Sequence, residues 1–146
     1  MMRKILFCLF LSLFVISCSD KEDNKFYSYS LPQKGIVLEE ALISKSATKL
    51  INSEQEFKEF THSEKASGIN FSKQTLIVVY GFSNAGIDKV TNAIEQHDDK
   101  YLIAVDVFCN LTLPIQSWSV AYVVPKLTHI TKVEAHVEYK QSVRNK

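Results

Sequence analysis

The chain predicts an α+β domain, mainly antiparallel β-sheet of about five to seven strands with one short helix packed on a face. Three observations carry that expectation. From Tyr101 onward, apolar residues recur at every second position in one segment after another, which is the period of a strand. Short polar or glycine-containing segments separate these runs, and connections that short favour antiparallel neighbours. One stretch, Ser53 to Phe60, joins a helix-start signal to helical spacing of its aromatics.

The first residues precede the fold. Arg3 and Lys4 give a positive start, and Ile5 to Ile16 is apolar apart from Ser12. As a helix that stretch would span roughly 18 Å against about 30 Å of hydrocarbon, too short to cross comfortably. A basic start, a short apolar core and a small residue before the cut describe a secretory signal peptide over residues 1–17. The end of that segment, Val15-Ile16-Ser17-Cys18, resembles a bacterial lipobox, with valine where leucine is commoner. The resemblance implies that Cys18 is acylated and becomes the first mature residue. Two or more acyl chains, at about 0.8 kcal/mol per buried methylene, hold a protein on a membrane where one barely does.

Ser19-Asp20-Lys21-Glu22-Asp23-Asn24 is polar throughout and reads as a solvated tether, so residues 18–30 are assigned to the acylated cysteine and its linker. An acidic patch at this position resembles the surface-display signal of lipoproteins of the Bacteroidetes type, and it equally suits a plain hydrophilic linker. The expected location is the bacterial envelope, anchored by lipid in the outer membrane, with the periplasmic and surface faces both open.

Residues 31–146 then form a single domain. Phe26 to Pro32 either lies against it or ends the tether. Within Ile36 to Ile51, Val37, Leu38, Ala41 and Leu42 have helical spacing, whereas Ala47 to Ile51 reads as extended. Ser53-Glu54-Gln55-Glu56 is a capping box, and Phe57 and Phe60 give the following helix, Glu54 to His62, one apolar face. A loop containing Gly68 follows. Thr75 to Tyr80 is apolar at nearly every position and suits a strand buried on both faces. Gly81 to Gly86 reads as a glycine loop after it. Ile87 to Gln96 is extended, His97 to Lys100 is a polar turn, and Tyr101, Ile103, Val105, Val107 and Cys109 share one face. Leu111 to Pro114 interrupts the pattern. Trp118, Val120, Tyr122 and Val124 alternate again until Pro125. In the last strand Val133, Ala135, Val137 and Tyr139 face inward, while Lys132, Glu134, His136 and Glu138 face water.

Charge and cysteine usage narrow the function. The whole chain is formally +1, and removing residues 1–17 takes Arg3 and Lys4 away, leaving 15 basic against 16 acidic residues, a charge of −1. A nucleic-acid binder needs a basic face, so nucleic acid is not an expected partner. Of three cysteines, Cys8 leaves with the signal and Cys18 carries lipid, so Cys109 has no partner for an intrachain disulfide. In an apolar strand it reads as a small hydrophobe.

Catalytic patterns are absent from the sequence. His62, His97, His129 and His136 form no zinc-ligand pair, and no Cys-x-x-Cys occurs. His136 lies on the polar face of its strand beside Glu134 and Glu138, an arrangement that reads as a solvated face, not a metal site. No nucleophile elbow and no phosphate-cradling glycine loop is present. The expectation is a protein that is not an enzyme and holds no cofactor and no metal.

The order of elements carries a second resemblance. "LINSEQEFKEF", "INFSKQTLIVVYG", a glycine loop, strand–turn–strand and "SWSVAYVVPK" together resemble the C-terminal domain of the PrcB family, bacterial lipoproteins named for an accessory subunit of a surface protease complex. The resemblance covers roughly Leu31 to Tyr139, and Ile69 to Lys73 and Val124-Pro125-Lys126 anchor it best. The family's Gly-Gly-Tyr-like segment is replaced by Asn84-Ala85-Gly86-Ile87, and its long loop before the penultimate strand shrinks to Asn110 to Ile115. The shared parts imply a shared fold and a non-enzymatic accessory role in stabilising an exported protease.

A binding module needs anchors. Trp118 and Tyr122, four residues apart on one strand face, are either core aromatics or partner-facing hot spots. Phe82 and Asn84 in the glycine loop are the candidates expected to be exposed. A protein in the envelope is the first expected partner class. A small molecule or glycan is the second, and it would need a concave pocket with aromatic and amide groups converging.

Overall fold

The computed structural model describes residues 25–32, 45–112 and 115–143. Cys18, the polar tether and the helically spaced residues Val37 to Leu42 lie outside the described residues. Those described form seven strands and one helix: β1 (Tyr27–Ser28), β2 (Ser46–Ile51), α1 (Glu54–Thr61), β3 (Gln74–Ser83), β4 (Ile87–His97), β5 (Lys100–Cys109), β6 (Gln116–Pro125) and β7 (Lys132–Gln141). The fold is α+β and mostly β. A four-stranded sheet, ordered β1-β6-β3-β2, stacks on a three-stranded sheet, ordered β4-β5-β7, and α1 covers the other side of the first sheet.

The continuous apolar run at Thr75 to Tyr80 forms the central part of β3, and both of its faces are used. Leu76, Val78 and Tyr80 meet Phe57 and Phe60 of α1 together with Ala121 and Val123 of β6. Ile77 and Val79 turn the other way, to Tyr101, Ile103, Val105 and Val107 of β5 and to Trp118, Tyr122 and Val124 of β6. A strand alternates its side chains between faces, so burial on both demands an apolar residue at every position. β6 is built likewise and pairs with β3 along ten residues, from Gln74 opposite Pro125 to Ser83 opposite Gln116.

Helix α1 begins as its capping box requires. The Ser53 hydroxyl accepts from the Glu56 amide at 3.1 Å. The Glu56 carboxylate reaches back to the amide of Asn52, at 2.6 Å, one residue before the cap. The helix stops at His62, whose left-handed backbone (φ 52°) turns its amide onto the Lys58 carbonyl at 2.9 Å. Phe57 and Phe60 are buried, as the spacing predicts.

Three expectations change. The chain joins the domain before residue 31: β1 pairs with Val123 and Tyr122, Phe26 packs toward the inter-sheet core, and Tyr29 and Leu31 pack toward the helix-side core. Not all pairing is antiparallel, because β7 lies parallel to β5, with Lys100 opposite Lys132 and Cys109 opposite Gln141. The chain reaches β7 by passing through β6 in the opposite sheet, which supplies the crossover that a parallel pair needs. Finally, the glycine loop is shorter than predicted. β3 continues through Gly81, Phe82 and Ser83, leaving Asn84 to Gly86 as the connection to β4. Gly81 serves close approach instead of a turn: a Cβ there would lie 2.3 Å from the Lys45 carbonyl oxygen and 3.0 Å from the Trp118 ring.

Denaturant melts test this account. Ser53→Ala should cost about 1 kcal/mol through loss of the cap, and Phe57→Ala about 3–5 kcal/mol through the cavity it leaves. Gly81→Ala should cost about 1–3 kcal/mol, because backbone at Lys45 must move to admit the methyl. A Gly81→Ala midpoint equal to wild type would show that β2 does not close on β3 in this way.

Candidate functional site

Trp118 and Tyr122 project from β6 into the space between the sheets, where only 6% and 4% of their surfaces meet solvent. Their polar atoms are spent inside the domain. The Trp118 indole donates to the Tyr139 hydroxyl at 3.1 Å, and that hydroxyl donates to the Lys45 carbonyl at 2.9 Å. The Tyr122 hydroxyl donates to the Asn92 side chain on β4. Both residues are core aromatics that join the two sheets, which withdraws them as partner-facing anchors. Burial raises the phenol pKa of Tyr122 and of Tyr139 above the ordinary 10.0, against a lowering by the Trp118 hydrogen bond at Tyr139.

Phe82 stands on the opposite face of the first sheet, half-buried against the helix-side core and opposite Ser117 of β6. It is a strand residue and not a loop tip. Asn84 is exposed at the three-residue connection. The candidates drawn from sequence therefore share no surface: two lie between the sheets, one on the helix side and one on the loop, while Cys18 lies outside the described residues.

Two other regions are open to solvent. The first is the outer face of the β4-β5-β7 sheet, where Leu102, Ala104, Asp106 and Phe108 of β5 point away from the core. It is laced with polar contacts: Lys100 pairs with Glu134 at 2.5 Å, Lys140 with Asp106 at 2.9 Å, and the His136 ring is hydrogen-bonded to Glu138 at 3.0 Å. The hydrogen bond from His136, then the contact with Lys140, holds the Glu138 carboxyl below its ordinary value. The Lys89 ammonium lies 4.6 Å from the Phe108 ring centre. Small side chains at Ala93 and Ala104 leave a depression of about 540 Å³ in this face, walled by Glu95, Leu102, Glu134 and His136. Glu134 pairs with Lys100 and Glu138 with His136, so the three groups that share a strand face in the sequence are divided between separate pairs.

The second open region is the end of the sandwich where β3 passes to β4, β5 passes to β6 and β7 ends. The bases of these segments are tied together. Gly86 donates to the Thr112 carbonyl at 2.7 Å and accepts from Asn110 at 2.9 Å. The Asn110 amide group reaches Asp88 at 2.5 Å, and the Ile87 amide is held by the Gln116 side chain at 2.6 Å. Ser142 donates to the Cys109 carbonyl at 2.7 Å. Above this lattice stand Leu111, Ile115 and Val143, all exposed. The sequence shows Leu111 and Ile115 only as a break in alternation, and Val143 carries no sequence signal at all. Cys109, below them, is half-buried, its sulfur 3.2 Å from the Ser83 hydroxyl.

No family model, curated protein or solved structure matches the chain.

Thermal melts distinguish these roles. Phe82→Ala should lower stability by roughly 1–3 kcal/mol, since the ring packs on a core. Tyr139→Phe should cost roughly 1–3 kcal/mol, because the buried Trp118 indole loses its acceptor. The tyrosine pKa values are raised on folding, so their contribution is complete below about pH 10 and falls as pH rises through the higher folded values. Stability that holds constant well above that pH would contradict the burial of the Tyr122 phenol.

Proposed function

We propose that the protein is a lipid-anchored module of the bacterial envelope that works by binding another protein and performs no chemistry of its own. The observation that carries this reading is the place where the chain enters the fold. β1 lies against Val123 and Tyr122 near the Pro125 end of β6, and Cys18 precedes the first described residue, Lys25, by seven positions. An acyl anchor on Cys18 would hold the domain by the segment that enters at this end of β6. The opposite end carries exposed aliphatic side chains, the surface suited to a protein contact.

The resemblance of the element order to the PrcB family gives the role its direction, that of an accessory protein stabilising an exported protease. A second reading, a receptor for a small molecule or glycan, has one observation on its side, the depression on the outer face of the second sheet. Its walls are aliphatic, carboxylate and imidazole groups. A ligand site gains more from converging aromatic and amide groups, which favours the protein-binding reading.

Fractionation and capture test the proposal together. Cys18→Ala should move the protein from the membrane to the soluble fraction, and the lipidated wild type should retain one stoichiometric protein from its own envelope. A Cys18→Ala variant that stays on membranes through a high-salt wash would sink the anchor. Glycan-dependent retention without a protein would favour the second reading.

A further inference from the structure

The two edges of the β4-β5-β7 sheet differ. β4 carries a register shift against β5 between Ile87 and Lys89, an irregularity of the kind that blunts an edge. β7 carries none. It keeps step with β5 from Lys132 to Gln141, contains no proline, and has no other described strand on its far side. The Lys132 and Ser142 amides donate toward β5, to the carbonyls of Asp99 and Cys109. In a parallel ladder the amide and carbonyl of one residue turn to the same side, and the side alternates along the strand. The backbone groups of Val133, Ala135, Val137, Tyr139 and Gln141 therefore turn to the free edge. The inner row of β7 is also incompletely covered. Val133 and Val137 are half-buried, Ala135 is exposed and Tyr139 is 37% exposed, whereas Tyr101 to Val107 of the same row on β5 are buried. A long regular edge in this state is a template for another strand.

The charges on β7 decide which strand fits. Its outer face presents Lys132, Glu134, His136, Glu138 and Lys140, a pattern symmetric about His136. We propose that the strand is a self-pairing edge: two copies of the chain join β7 to β7, antiparallel and centred on Val137, into one continuous sheet. In that register Glu134 faces Lys140 and His136 faces Glu138, and the twofold axis repeats both pairs. The Asp106–Lys140 pair of one copy then meets the Glu134–Lys100 pair of the other, giving a row of alternating sign. Each outward amide of Val133 to Gln141 meets an outward carbonyl, and Val137 packs on Val137. Centring on His136 would set Lys132 against Lys140 and Glu134 against Glu138, and like charges directly opposite are unfavourable. Centring on Ala135 would also match charges, but it sets Tyr139 against Thr131, which precedes the strand. This pairing needs only the domain, with or without the lipid anchor.

Disulfide trapping in the full-length chain, in its native envelope and with Cys109→Ser to remove the background thiol, reads the pairing. Facing residues of a hydrogen-bonded antiparallel pair lie about 5.5 Å apart at Cα, within reach of a disulfide. Under a mild added oxidant, Val137→Cys should give a product of twice the chain's mass. Ala135→Cys or Val133→Cys alone should not, and Val133→Cys combined with Gln141→Cys should. Charge is tested on the Val137→Cys chain. Glu134→Lys alone, or Lys140→Glu alone, sets like charges opposite each other twice and should lower the yield about tenfold. A Glu134→Lys chain co-expressed with a differently tagged Lys140→Glu chain restores both pairs, so the mixed product should return to the original yield. A chain unfolded by its substitution would not be rescued in this way, so recovery in the mixed pair separates lost complementarity from lost folding. No product from Val137→Cys, equal yield from Ala135→Cys or Val133→Cys, a product with a different protein, indifference to Glu134→Lys, or failure of the mixed pair to recover would each overturn the proposal.

Discussion

The double-sided burial of β3 is the constraint on which the rest of the domain depends. Five successive residues, Leu76 to Tyr80, each have 2% or less of their surface exposed. No single sheet can achieve that, because one face would always meet water. The first sheet must therefore be covered twice, by α1 on one side and by β4-β5-β7 on the other. The helix and the second sheet are consequences of one apolar run. So is the placement of Phe57 and Phe60 on one side and of Tyr101 to Val107 on the other, and each layer is held chiefly by the area it removes from water.

Polar groups add location to that burial. The Lys45 carbonyl receives both the Phe82 amide, at 3.1 Å, and the Tyr139 hydroxyl, at 2.9 Å. Through Tyr139 it is joined to the Trp118 indole. One backbone oxygen thus brings the start of β2, the end of β3, β6 and β7 to a common point, and Gly81 leaves the room for it. Hydrogen bonds that converge in this way on a buried indole specify a register that apolar packing alone would leave loose.

What the sequence made legible follows from what is local. The Ser53 cap, the aromatic pair on α1, the continuous run of β3 and the alternation of β5 and β7 all depend on neighbours within a few residues, and each is visible as a spacing. The parallel alignment of β5 with β7 is not, since periodicity records which face a side chain takes and not which strand lies alongside. Gly81 misleads for a related reason. A glycine that makes room for a carbonyl 36 positions earlier in the chain looks the same, in sequence, as one that makes a turn. Trp118 could be judged core or surface only once Tyr139 was placed beside it. The exposed aliphatics of the loop end escaped because apolar residues in a loop break the very patterns by which apolar residues are found.

The parallel pair has a temporal consequence. β7 reaches β5 only across β6, which lies in the other sheet, and β7 follows every other described strand along the chain. Any process that delivers the chain from its N-terminus, whether synthesis or passage through a pore, releases the closing strand last. Until then the inner row of β5, Tyr101 to Val107, borders an unfilled edge, and an apolar edge of that kind invites pairing with another chain. The second sheet is complete only once β7 has arrived, so safe folding favours a chain held extended until that strand is present.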